Sequence, residues 1–173
     1  EHGILKSLDG ASRCLQLVSG YETYNLEITT AESATFVTPA HYFATEWLED
    51  DIDDFFLKQE QLDAVEKLKL FNEVVLAVES LHSRSVFHRD LKYDNFRSHF
   101  VNSKREVVVI DLGTAARLDS PAISSSYSGP VGFLMYSAPE AFCGMAGIRS
   151  IAPCTDMFAF GCMLFELFHP DDF

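Results

Sequence analysis

The spacing of apolar residues changes several times along the chain, and each change predicts a different element. Between residues 64 and 82, Val65, Leu68, Phe71, Val75, Val78 and Leu81 recur at steps of three and four. That period predicts an amphipathic helix with those six side chains as its buried stripe. Ile4, Leu5 and Leu8 share a face, and Asp9-Gly10 follows, so residues 1–9 read as the end of a helix. Residues 13–18 and 40–48 are short apolar or aromatic runs, expected as strands, and the Thr-rich polar stretch between them reads as a loop. A short segment at 85–87 precedes a polar run, and Val107 to Ile110 reads as a buried strand. Residues 117–137 have the Ser, Gly and Pro content of a loop. Residues 156–168 are so apolar that the helix they predict should be buried on most sides, with His169-Pro170 ending it.

Composition narrows the function classes. The chain has 173 residues, 47 % hydrophobic and 23 % charged, an ordinary globular mix of about one domain or one and a fraction. A formal net charge of −13 argues against binding nucleic acid through phosphate neutralisation and against docking on anionic membranes. Glu46, Glu49, Asp50, Asp51, Asp53, Asp54, Glu60 and Asp63 face a single Lys58, which puts −7 of that charge in one stretch. Asp50 to Asp54 also matches the D-D-x-x-D of prenyl-transferring enzymes. The absent second aspartate-rich motif and the Val107–Ile110 strand count against that reading. An EF-hand fails for want of a central glycine and a closing glutamate. A solvated acidic face is the expectation, suited to substrates with basic residues.

The four cysteines form no C-x-x-C pair, the first ten residues carry no signal-peptide pattern, and Met157–Leu164 is too short to span a bilayer. These features point to an intracellular protein, cytoplasmic or nuclear. His41, His82, His99 and His169 are expected in surface or hydrogen-bonded structural roles rather than as metal ligands.

Chemistry concentrates in His88-Arg89-Asp90-Leu91-Lys92-Tyr93-Asp94-Asn95, held between two apolar segments, and in Asp111, which ends the valine strand. An amide and a carboxylate converging from strand ends suit magnesium, which takes oxygen ligands and leaves room for phosphates. Asp90 could accept a proton from an attacking hydroxyl, and Lys92 could offset charge on a transferring phosphoryl group.

The same residues resemble the signatures of eukaryotic protein kinases. His88–Asn95 is similar to the catalytic loop H-R-D-x-K-x-x-N, and Asp111-Leu112-Gly113 to D-F-G. Ala138-Pro139-Glu140 is similar to A-P-E, and Asp156 to Gly161 to D-x-W-S-x-G. The four stand in the family's order, with 30 residues from Asp111 to Glu140. The resemblance implies an α+β, two-lobed kinase-like fold with ATP and Mg2+ as cofactors and a protein as substrate. Residues 1–47 would be the rest of the small lobe and 48–173 part of the helical lobe. Asp90 would be the catalytic base, Lys92 would meet the γ-phosphate as in Ser/Thr kinases, and Asn95 and Asp111 would hold magnesium. Thr45 would be the gatekeeper, with Glu46, Trp47 and Leu48 as the hinge that reads adenine. Glu1 would be the glutamate that pairs the V-A-I-K lysine. Leu5, Leu17, His88 and Leu112 would stack as a spine anchored by Asp156. Arg89 implies regulation through the activation segment, with Ser124, Ser125, Ser126, Tyr127 and Ser128 as candidate phosphoacceptors.

Several positions depart from the family. The nine glycines contain no G-x-G-x-x-G, and no V-A-I-K lysine is present. The usual G-T before A-P-E reads Gly132-Phe133, and Arg97 stands where an apolar side chain normally lies beneath adenine, unless Phe96 takes that place in an offset register. Glu140 would lack its usual arginine. The reading is a kinase fragment, inactive as an isolated chain, with a pseudokinase-like interaction module as the alternative.

Overall fold

A computed structural model describes residues 1–48, 50–52, 62–117, 131–143 and 152–172. Helix α1 (His2–Ser7) leads into a long antiparallel hairpin, β1 (Leu17–Thr29) and β2 (Thr35–Thr45), paired from Leu17↔Thr45 to Thr29↔Thr35. The stretch expected as a loop is therefore mostly strand. Thr is β-branched and polar, so it suits a pleated surface that meets water. Tyr24, Leu26 and Ile28 share one face with Ala40, Thr38 and Phe36, while Thr23, Asn25, Glu27 and Thr29 take the other. The reversal is tight: the Thr30 N–H donates to the Ala34 carbonyl at 2.9 Å, and Ser33 adopts φ 63°.

A second sheet orders β3 (Asp50–Asp51), β5 (Phe96–Val101) and β6 (Lys104–Val109) side by side. Strand β5 was not expected. Its two-residue connection, Asn102-Ser103, has φ of 50° and 64°, the left-handed pair that twists a hairpin correctly. Two further short strands, β4 (Val86–Phe87) and β7 (Ala116–Arg117), pair antiparallel. The N-terminal segment is stitched to β6, because Leu15 N–H donates to Val109 O at 3.1 Å and Val109 N–H to Arg13 O at 3.0 Å.

Helix α2 (Ala64–Ser83) opens on a capping box. The Asp63 carboxylate accepts the N–H groups of Val65 and Glu66, while Glu66 accepts the Asp63 N–H. Its buried face is Leu70, Val74, Ala77, Val78 and Leu81. This corrects the expected stripe, since Val65 is 59 % and Leu68 49 % exposed. The helix carries two apolar arcs that share Val78 and Leu81, and the arc meeting β6 and the last helix is the one that buries.

That last helix, α4 (Ala152–Phe168), follows the short α3 (Pro139–Phe142). It buries Ala159, Phe160, Met163 and Leu167, while Met157, Phe158, Leu164 and Phe165 are exposed. The expectation of burial on most sides is thus corrected: among the described residues, partners cover one face. Phe71 meets Phe160 edge-on, and Lys67 Nζ donates to the Leu167 carbonyl at 3.0 Å, which locks α2 against α4.

Candidate functional site

The polar loop His88–Asn95 is anchored from α4. Asp156 is 1 % exposed, and its carboxylate accepts the His88 N–H at 2.9 Å, the Arg89 N–H at 2.7 Å and His82 Nε2 at 2.7 Å. Three donors on one buried carboxylate make up for its lost water. They also hold Arg89 at φ 68°, a conformation that costs an ordinary residue energy. His88 is fully buried, with Nε2 2.8 Å from the Ile110 carbonyl. A carbonyl only accepts, so Nε2 carries the proton, and Nδ1 accepts from the Asp90 N–H at 3.3 Å.

The segment after Asp111 is tied to the same loop. Thr114 Oγ1 donates to the His88 carbonyl at 2.9 Å, and Arg89 Nε donates to the Thr114 carbonyl at 2.7 Å. Thr114 was not singled out by sequence. Neither was Gln16, whose Nε2 donates to the carbonyls of Ala11 and Cys14 while its Oε1 accepts the Gly10 N–H. A lone amide inside the apolar run 13–18 was the available signal. Gln16 N–H also donates to Glu46 Oε1 at 2.9 Å, and the Glu46 N–H returns to Gln16 O at 3.0 Å, fixing the chain after Thr45.

Asp90 sits at the centre of the loop. Its Oδ1 accepts the Phe133 N–H at 2.6 Å, and its backbone carbonyl accepts Asn95 Nδ2 at 2.7 Å. Asn95 in turn accepts the Ile110 N–H on its own carbonyl at 2.9 Å, which places Asp111 beside it. Asp111 adopts φ 52°. With the Asn95 nitrogen committed to Asp90, its amide oxygen is the atom left for a cation. Asn95 and Asp111 would offer oxygen donors alone, and two such donors with phosphate and water completing the shell suit magnesium. No cluster of three His, Cys, Asp or Glu side chains occurs among the described residues, so a cage made wholly of such side chains is not what this site provides.

Lys92 Nζ lies 3.4 Å from Asp94 Oδ2 and 5.4 Å from the centre of the Phe133 ring. Gly132, at φ 94°, passes so close to the loop that a β-carbon there would stand 2.5 Å from the Arg89 carbonyl. Glu1 reaches the Asp111–Gly113 turn: a β-carbon at Gly113 would lie 4.0 Å from Glu1 Oε2.

Next to this cluster is a cleft of about 320 Å3 lined by Leu15, Thr45, Glu46, Trp47, Leu48, Arg97, Ile110 and Asp111. Arg97 lines it directly, with Nη1 donating to the Asp94 and Phe96 carbonyls at 2.9 Å each. Phe96 is fully buried in the core, so the offset register is corrected. Leu5 and Leu112 are fully buried in one core cluster, against which Leu17 packs. Glu140 keeps partial solvent contact, so it carries no full desolvation cost. Burial raises the thiols of Cys14 and Cys162, which keeps them protonated and unreactive. The Ser124–Ser128 acceptors and the acids Asp53, Asp54 and Glu60 lie outside the described residues.

The fold is that of a protein kinase domain, and comparison with known proteins agrees. The family model described as protein kinase domain matches residues 1–171, and the chain belongs to that family. It is similar to the inhibitor of nuclear factor kappa-B kinase subunit alpha of Danio rerio, 39 % identical over 101 residues, covering 58 % of the chain and 12 % of that protein. It is also 29 % identical over 129 residues to the CTD kinase subunit alpha of Saccharomyces cerevisiae, covering 74 % and 23 %. The chain thus spans under a quarter of the length of either relative. Among solved structures it matches a chain of the yeast RNA Pol II CTD kinase complex with a TM-score of 0.64 at 25 % identity, covering 97 % of this chain and 48 % of that one. A partial α+β, two-lobed kinase-like fold is therefore the fold of this chain. No described helix is long and apolar enough to cross a membrane.

Proposed function

We propose that the protein transfers the γ-phosphoryl group of Mg-ATP to Ser or Thr hydroxyls of protein substrates. The observation that carries this is Asp90. Its carboxylate is held at 2.6 Å by the Phe133 N–H and its carbonyl at 2.7 Å by Asn95, and among the described residues Oδ2 has a 3.4 Å contact from Asn95. Asp90 then orients the acceptor hydroxyl and takes its proton, and Lys92 offsets charge on the phosphoryl oxygens. Asn95 and Asp111 would hold magnesium, which supplies charge neutralisation on the phosphates when bound. Thr45, Glu46, Trp47 and Leu48 border the cleft where adenine would lie, and Glu1 stands at the Asp111–Gly113 turn. The lobes divide near the hinge, residues 1–47 and 48–173. The −7 stretch at 46–63 favours substrates with Lys or Arg near the acceptor.

The test uses the full-length protein with γ-labelled ATP and a substrate library, alongside Mg-ATP binding by thermal shift. Asp90→Asn is expected to abolish transfer while binding survives. A binding module without turnover is the second reading, favoured by Arg97 in the cleft. Absence of both transfer and a Mg-ATP shift in the full-length protein refutes the enzyme.

A further inference from the structure

Phe133 occupies the position where the family resemblance expects a threonine whose hydroxyl bridges the catalytic aspartate and lysine. Its side chain has no hydrogen-bonding group, yet it touches both residues. The main-chain N–H takes the carboxylate, at 2.6 Å from Asp90 Oδ1. The ring takes the ammonium, with Lys92 Nζ 5.4 Å from its centre. Burial does not account for the ring, because Phe133 is 51 % exposed. The backbone that presents it is fixed from both sides. Ser137 Oγ donates to the Phe133 carbonyl at 2.9 Å, and Gly132 is packed against Arg89 too closely for any side chain.

We propose that Phe133 is a positioning residue for Lys92 and Asp90, dividing between its N–H and its π face the work of one hydroxyl. The physical advantage lies in what the ring does not do. Lys92 has a competing partner in Asp94, 3.4 Å away on the solvent side. A second carboxylate would hold the ammonium by neutralising it. An aromatic face holds a cation through its quadrupole and leaves the full charge available to a phosphoryl oxygen. The N–H is independent of side-chain identity, so substitution at 133 isolates the ring.

The proposal rests on the kinase reading, and its experiment has two readouts. In the full-length protein, Phe133→Leu keeps size and apolarity but removes the π face, and Phe133→Tyr keeps it. Phe133→Leu is expected to lower kcat about two- to thirtyfold, the span of a cation–π contact from exposed to desolvated, with KM for Mg-ATP unchanged. Phe133→Tyr should retain the wild-type kcat. In a Lys92→Met background, Phe133→Leu should add nothing. The second readout needs no activity: the Lys92 ε-methylene proton resonances should show an upfield ring-current shift in wild type and Phe133→Tyr, lost in Phe133→Leu. A Phe133→Leu protein with wild-type kcat overturns the proposal, as does an equal loss in Phe133→Tyr or in the Lys92→Met background. A wild-type protein without the Lys92 shift overturns the contact itself. A wild-type protein that shows the shift but neither transfers phosphoryl groups nor binds Mg-ATP overturns the kinase reading and leaves the contact standing.

Discussion

Asp156 is the residue on which the geometry of the loop depends, and its removal can be costed bond by bond. Asp156→Ala deletes the acceptor for the N–H groups of His88 and Arg89 and for His82 Nε2. His88 and Arg89 are buried, so their N–H groups would be left unsatisfied at about 1–3 kcal/mol each. The His82 side chain is 23 % exposed, so water can replace that bond at a cost of under about 1 kcal/mol. The sum is about 2–7 kcal/mol, against a typical domain stability of about 5–15 kcal/mol. Asp156→Asn is the sharper variant. It is isosteric, but its one oxygen can serve one oxygen's donors, and its NH2 then faces a backbone N–H. A loss of about 2–3 kcal/mol is expected, with His82→Ala costing less than either. Urea unfolding with an unchanged m-value measures the order Asp156→Ala, Asp156→Asn, His82→Ala. If Asp156→Asn lies within about 0.5 kcal/mol of wild type, the carboxylate is not the anchor and the reasoning fails.

Three further outcomes follow from the same coordinates. Gly132→Ala should destabilise the protein by about 2 kcal/mol or more, because φ 94° and a 2.5 Å approach to the Arg89 carbonyl leave no room for a methyl group; thermal melting checks it. Leu70→Ala should cost about 2–4 kcal/mol and Leu68→Ala under about 1 kcal/mol, and equal costs would return the buried face of α2 to its expected position. The Tyr136 hydroxyl is pushed far above its ordinary value, first by burial and then by its 2.5 Å bond to Glu166 Oε2. The folded protein keeps that proton where the unfolded chain releases it, so Tyr136 contributes stability that falls as pH rises past about 10. Phenolate absorbance should show one tyrosine that ionises only on alkaline unfolding, and Tyr136→Phe should remove this part of the pH dependence.

The chemistry of the site was legible in local sequence because its residues are close neighbours there. His88 through Asn95 is one contiguous loop, and Asp111 ends a strand whose Val107–Val109 core announces itself by β-branching. The hairpin β1–β2 was legible in principle, since Tyr24, Leu26 and Ile28 alternate with polar residues, but the threonines masked it as loop. Strand β5 was not legible, because its residues depend on pairing with β6 to become a strand at all.

The sequence by itself determined the donor and acceptor groups, their order and the helical or extended character of most segments. Those properties arise from interactions within a few residues, where periodicity and propensity act. Tertiary structure decided which arc of α2 is buried, which face of α4 finds partners, and that Arg97 rather than Phe96 lines the cleft. It also decided that Phe133, 43 positions along the chain, meets Asp90 through its N–H and Lys92 through its ring. Burial free energy belongs to pairs of surfaces, and an apolar arc acquires its value only when another element covers it.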